Sequence, residues 1–140
     1  MNNSNELFLF LLSQPGIEIG QNAFKNCVNL KQITIPSSIT LIGENAFYKC
    51  SSLKKVEFQS PASLKTIEKN SFGECLNLQT IEIPSSVDSI GEKAFERSGL
   101  IEVNFLKNLE LINNYLFRGS YKIFHITIPS SVKKIGKWSF

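Results

Sequence analysis

The chain has 140 residues, 42% of them hydrophobic and 19% charged, with a formal net charge of +3. That is the length of one domain, with enough apolar surface for a core and a charge balance too mild for nucleic acid or anionic lipid. Basic residues are adjacent only at Lys54-Lys55 and Lys133-Lys134, and no apolar run is long enough to cross a bilayer.

Residues 1–6 read as a disordered tail. Leu7–Leu12 is an apolar run, but the preceding MNNSNE carries no positive charge and no small-residue cleavage site follows. Counted back from Ile19, Leu7, Phe10 and Leu12 fall where Leu30, Ile33 and Ile35 fall before Ile42. The run is therefore read as the strand of a degenerate first repeat over 7–18, not as a signal sequence. Leu9 and Leu11 would then face outward on an uncovered edge, an association hazard.

From there one phrase recurs. Ile-Gly-x-x-Ala-Phe stands at Ile19–Phe24, Ile42–Phe47 and Ile90–Phe95, with looser copies at Ile67–Phe72, Ile112–Phe117 and Ile135–Phe140. The leading isoleucines are 23, 25, 23, 22 and 23 residues apart. A period of that length marks a solenoid whose units bury their apolar sides against one another. The sequence predicts one solenoid domain over 7–140, with about six repeats of 22–25 residues and a truncated last repeat at 135–140.

Each unit opens on a strand pattern: Leu30–Ile35, Leu53–Phe58, Leu78–Ile83, Leu100–Phe105 and Ile123–Ile128. Alternation turns Ile33 and Ile35 inward and Thr34 outward. One strand per repeat, always entered in the same direction, gives a parallel ladder with rungs about 4.8 Å apart. Pro36, Pro84 and Pro129 end three of the strands, and the Ser-Ser pair after each turns the chain. Ile39, Leu64, Val87, Leu109 and Val132 point inward on the return path. A short helical turn is expected at Ala-Phe. The column Gly20, Gly43, Glu68, Gly91, Asn113 and Gly136 suggests positive φ, with Glu68 the poor fit.

Cys27, Cys50 and Cys75 lie three residues after the repeat phenylalanine, and the next two repeats put Ser98 and Ser120 there. This is a repeat position for small buried residues; a disulfide or a metal site fits neither the spacing nor the serine replacements. His125 falls one rung from Glu102, but no nucleophile shares its column, so it reads as an exposed histidine on a binding face. Glu57 and Glu82 fall in one outward column, where two carboxylates about 5 Å apart could bind a cation or act on a glycoside. Lys55 beside them and the lack of an aromatic floor favour a solvated charged face. Trp138 reads as a cover over the end of the stack, with an exposed binding anchor as the alternative.

The string I-G-x-x-A-F-x-x-C-x-x-L-x-x-I-x-I-P-S-S-V, seen here at Ile42–Phe58 and Ile81–Phe95, resembles the BspA-like class of leucine-rich repeats. The resemblance implies an α/β leucine-rich-repeat solenoid with a parallel sheet on its concave side. It also implies a non-enzymatic surface antigen or adhesin that binds a host-cell or matrix protein. The expected face combines the column Gln32, Lys55, Thr80, Glu102 and His125 with the column Thr34, Glu57, Glu82, Asn104 and Thr127. No cofactor, metal, nucleic acid or membrane insertion is expected; uncapped solenoid ends would allow self-association. The resemblance places the chain at the cell surface, whereas the unconvincing leader places it in the cytoplasm. An intracellular scaffold and a fragment of a larger array stay open as alternatives.

Overall fold

The computed structural model describes residues 16–105 and 109–140. The tail at 1–6, the strand at Leu7–Leu12 and nearly all of the first repeat lie outside the described residues. The rest is a parallel β-solenoid. Each turn contributes one longer strand, giving β1 (Gln32–Ile35), β3 (Lys55–Phe58), β5 (Thr80–Ile83), β7 (Glu102–Phe105) and β9 (His125–Thr127). Each also contributes a two-residue strand on the return path: β2 (Leu41–Ile42), β4 (Thr66–Ile67), β6 (Ser89–Ile90), β8 (Leu111–Ile112) and β10 (Lys134–Ile135). The leucines that open the expected strands precede the ladder bonds, yet Leu53, Leu78 and Leu100 are buried.

All pairing is parallel, and the register aligns repeat positions. Gln32 faces Lys55 and Thr34 faces Glu57; Thr80, Glu102 and His125 share one row, and Glu82, Asn104 and Thr127 the next. Along β5 the burial alternates, with Ile81 and Ile83 inside and Thr80 and Glu82 outside. Ile39, Leu64, Val87 and Leu109 are buried on the return path as expected, and Val132 is partly buried against the core.

The repeat phenylalanines form one column. Rings of Phe24, Phe47, Phe72, Phe95, Phe117 and Phe140 stack at centroid spacings of 5.1, 5.1, 5.5, 5.7 and 5.8 Å. Phe47, Phe72, Phe95 and Phe117 are wholly enclosed. The cysteine column runs beside them: Cys50 Sγ donates to Phe24 O at 3.1 Å and Cys75 Sγ to Phe47 O at 3.2 Å. Ser120 Oγ makes the same bond to Phe95 O at 2.8 Å, which explains why cysteine and serine interchange there. The three cysteines are free thiols. Burial pushes Cys50 up to about 12, with Cys27 adding to the effect, and Cys75 higher still, so both stay protonated and able to donate.

Three expectations need correction. Among the described residues there is no helix, so the α part of the expected α/β class is not found. At Ala-Phe the amides instead alternate. Ala46, Tyr48 and Cys50 close tight turns onto Gly43, Asn45 and Phe47, while Asn45, Phe47 and Lys49 donate to Lys69, Ser71 and Gly73 of the next rung. Left-handed residues every fourth position, such as Asn45 and Lys49, prevent a helix from propagating and aim every second amide at the neighbouring turn.

The second correction concerns the glycine column, which does not carry the positive φ. That conformation falls two residues later, at Asn22, Asn45, Asn70, Lys93, Tyr115 and Trp138. Glycine is needed for close approach: a Cβ on Gly91 would meet Lys69 N at 2.5 Å, and one on Gly43 would meet Gln21 N at 2.7 Å. Glu68 is accommodated by bonding across the rungs, its Oε2 accepting from Glu44 N at 2.9 Å. Asn113 opens the rung instead. Gly43, Gly91 and Gly136 donate their backbone N–H to the preceding isoleucine carbonyl at 2.7 Å, but Asn113 offers its side-chain Nδ2 to Ile90 O at 2.6 Å. Accordingly β6 and β8 are not paired.

The third is Trp138. It occupies a left-handed turn position with 71% of its surface exposed, so it does not cover the stack.

Candidate binding face

The longer strands carry their outward side chains on one face. Gln32, Lys55, Glu57, Thr80, Glu82, His125 and Thr127 are exposed, and Thr34, Glu102 and Asn104 are half-buried. Core packing demands none of these residue types, because every inward position of the same strands is already filled by Ile, Val or Phe. Lys55 Nζ pairs with Glu57 Oε1 at 2.5 Å, as the sequence suggested. Among the described residues no ion pair or hydrogen bond joins His125 to Glu102, although the ladder sets them opposite each other.

The face is not one continuous sheet. β1 pairs with β3, and β5 with β7 and β9, but no ladder bond joins β3 to β5. The cause is local. Residues 36–40 and 84–88 connect the two strands of their rungs, while 59–65 makes the same connection with two extra residues. The longer loop leaves a cleft of about 930 Å³ over the seam. Its lining includes Thr34, Lys55, Glu57, Thr80, Glu82, Glu102 and Asn104, seven of the ten residues that the sequence assigned to the face. Gln32, His125 and Thr127 lie beyond. Glu57 and Glu82 thus meet in one cleft, but without the ladder bonds that would set a fixed carboxylate spacing. Among the described residues, no three His, Cys, Asp or Glu side chains gather as metal ligands.

Two other surfaces escaped sequence reasoning. On the phenylalanine turns, Tyr48 lies under Lys25 and Lys49 at 5.9 and 5.4 Å, and Tyr115 under Lys93 and Arg118 at 5.5 and 5.4 Å. Tyr48 also donates to Glu74 at 2.8 Å; burial first, and then that bond, hold its phenol above the ordinary value. Near the last described rungs Tyr121 and Phe124 are 95% and 81% exposed. A signal existed for Tyr121, which follows Ser120 where Val28, Ser51, Leu76 and Gly99 follow their own cysteine or serine.

Comparison with known proteins places this geometry. A family profile described as "BspA type Leucine rich repeat region" matches residues 17–140 in six copies. Three solved structures are similar in fold. A leucine-rich-repeat protein of T. pallidum is 26% identical with a TM-score of 0.66, over 89% of this chain and 70% of that one. A leucine-rich cell surface protein of Faecalibacterium prausnitzii is 29% identical with a TM-score of 0.76, over 88% of this chain and 39% of its own. A leucine-rich-repeat protein of Bacteroides ovatus is 30% identical with a TM-score of 0.68, over 89% of this chain and 38% of its own. This chain therefore spans well under half the length of the latter two. Comparison with curated proteins gives no match. Among the described residues no helix is long and apolar enough to cross a membrane.

Proposed function

From the premise that the chain belongs to the BspA-type leucine-rich repeat family, we propose that it is a non-enzymatic protein-binding module and works as a surface antigen or adhesin. Its binding surface is the face of the longer strands, and its partner is a host-cell or matrix protein. The observation that carries the reading is the face itself: two polar rows of mixed charge, in register within β1–β3 and within β5–β7–β9, over a core that does not need them. A broad polar face of that kind suits a protein surface better than a buried small molecule.

We assign this face to the concave side on the strength of the family's solenoid form. The F. prausnitzii protein, similar over most of this chain, is a cell surface protein, which supports display outside the cell.

The test is binding to a panel of purified matrix proteins. Glu57→Ala, Glu82→Ala and Glu102→Ala together are expected to weaken capture about ten-fold or more, as loss of several central contacts does, with the melting curve unchanged. A pair on the phenylalanine turns, Tyr48→Ala with Tyr115→Ala, serves as the control. Capture lost only in the control pair would show the wrong face was chosen. Protease treatment of intact cells carrying an internally tagged copy tests display: a tag protected until lysis would move the same face to an intracellular partner.

A further inference from the structure

We propose that the cleft between β3 and β5 receives a basic side chain, an arginine or lysine presented by a protein partner. The inference rests on the reading that the strand face binds protein, and it names the chemistry that the centre of the face selects.

Charge gives the first argument. The chain as a whole is basic, with 15 Lys and Arg against 12 Asp and Glu. The cleft reverses that balance: its titratable lining is Lys55 against Glu57, Glu82 and Glu102. Lys55 is committed to Glu57. Among the described residues no ion pair or hydrogen bond engages the carboxylate of Glu82 or of Glu102, whose backbones pair in the ladder. Two unpaired carboxylates lining one cleft concentrate negative potential there and draw a cation from solvent.

The lining argues for a side chain over a bare ion. Hard divalent cations want several convergent oxygen ligands, and no group of three potential ligands forms here among the described residues. Pro61 from the long loop, Pro84 from the next rung and Phe58 supply apolar wall beside the carboxylates. That is the arrangement a long basic side chain needs, with its methylenes against apolar surface and its charged head on oxygen. A sugar would want exposed aromatic rings to stack on, and the cleft has only the half-buried Phe58.

The seam itself gives a third, independent argument. Ser86 Oγ, in the wall of the cleft, is buried and has no hydrogen-bond partner. A buried polar atom left unmatched costs free energy. A guanidinium or ammonium N–H entering the cleft gives Ser86 a donor, and gives the two free carboxylates charge-assisted bonds.

The experiment titrates the isotope-labelled full chain with N-acetyl-arginine methylamide and, in parallel, with its neutral citrulline counterpart. Amide shifts should saturate with the arginine probe, centre on β3, β5 and the 59–63 and 84–86 loops, and be absent with citrulline. Glu82→Gln with Glu102→Gln should weaken the response at least about ten-fold, and so should ionic strength raised well beyond about 0.1 M. Equal response to citrulline, shifts scattered over the surface, no shifts, or full response in the double variant each overturn the inference. Matrix-protein capture separates it from the reading beneath. Capture that survives the double variant but needs the rest of the face removes the basic-side-chain inference alone. Capture independent of the whole face, with the arginine shifts intact, removes the protein-binding reading and leaves the cleft.

Discussion

Phe95→Ala tests the core most directly. The ring is wholly buried and lies between Phe72 at 5.5 Å and Phe117 at 5.7 Å, with interplanar angles of 2° and 13°. Truncating an enclosed phenylalanine costs about 3–5 kcal/mol through lost transfer energy and the cavity left behind. The column makes collapse of that cavity difficult, because each neighbouring ring is held in place by its own rung. The upper part of the range, about 4–5 kcal/mol, is therefore expected. That is a large share of the roughly 5–15 kcal/mol that holds a domain folded. Because a solenoid is stabilised rung by rung, the loss should also uncouple its two sides. Urea unfolding followed by circular dichroism should show a lower midpoint and a broadened or split transition. Hydrogen exchange should place the new opening around residues 90–117. A loss under about 1 kcal/mol, or one uniform transition with an unchanged midpoint, would refute the account of a continuous, rigid ring column.

Two further outcomes follow from the same column and its neighbours. Gly91→Ala should destabilise the chain by about 1–3 kcal/mol, as overpacking does, because the new Cβ would meet Lys69 N at 2.5 Å. Gly20→Ala should cost much less in the same melt, since among the described residues nothing lies within 4 Å of its Cβ position; equal losses would point to backbone freedom and away from close approach. The buried thiols predict alkaline sensitivity. Cys50 rises from an ordinary 9.0 to about 12 in the folded chain, so the unfolded chain releases its proton first. Stability from this group is intact below about pH 9 and declines as pH rises toward 12. Cys50→Ser with Cys75→Ser should flatten that decline in a pH series of melts, and an unchanged slope would assign it to other groups.

Much of this was open to reading in the sequence, for a physical reason. Ile33, Ile81 and Phe95 recur at a fixed period because each must land on its counterpart one rung away. Any residue whose neighbour is its own copy leaves a periodic trace. The outward rows were legible for the same reason, since strand alternation fixes them once the inward residues are known. The left-handed turns were harder. Asn22, Asn45 and Asn70 mark one such position and Gly119 another, but Lys49, Glu74 and Arg97 hold the same geometry with no compositional sign. There the fold imposes the conformation on residues that do not prefer it, against a cost of about 1–2 kcal/mol apiece.

The seam lay beyond sequence reasoning although its cause was in plain view. Two extra residues near Ser60–Ser63 break the period, and an insertion of that size can bulge harmlessly into solvent from any turn. Here it does not. The loop 59–65 stays against its neighbours, with Gln59 N bonded to Ile35 O at 2.9 Å and Ser63 N to Ser37 O at 3.0 Å. The extra length is thus tied to the preceding rung, and on the strand face β5 is left without ladder bonds to β3, although Lys65 O at the loop's end still accepts from Asp88 N and Ser89 N. Periodicity reports only what rungs share, so it cannot say which side of a rung an irregularity loosens. In a repeat fold the departures from period are where one face can differ from the rest of the stack. The cleft between β3 and β5, with its unpaired Glu82 and Glu102, is such a place.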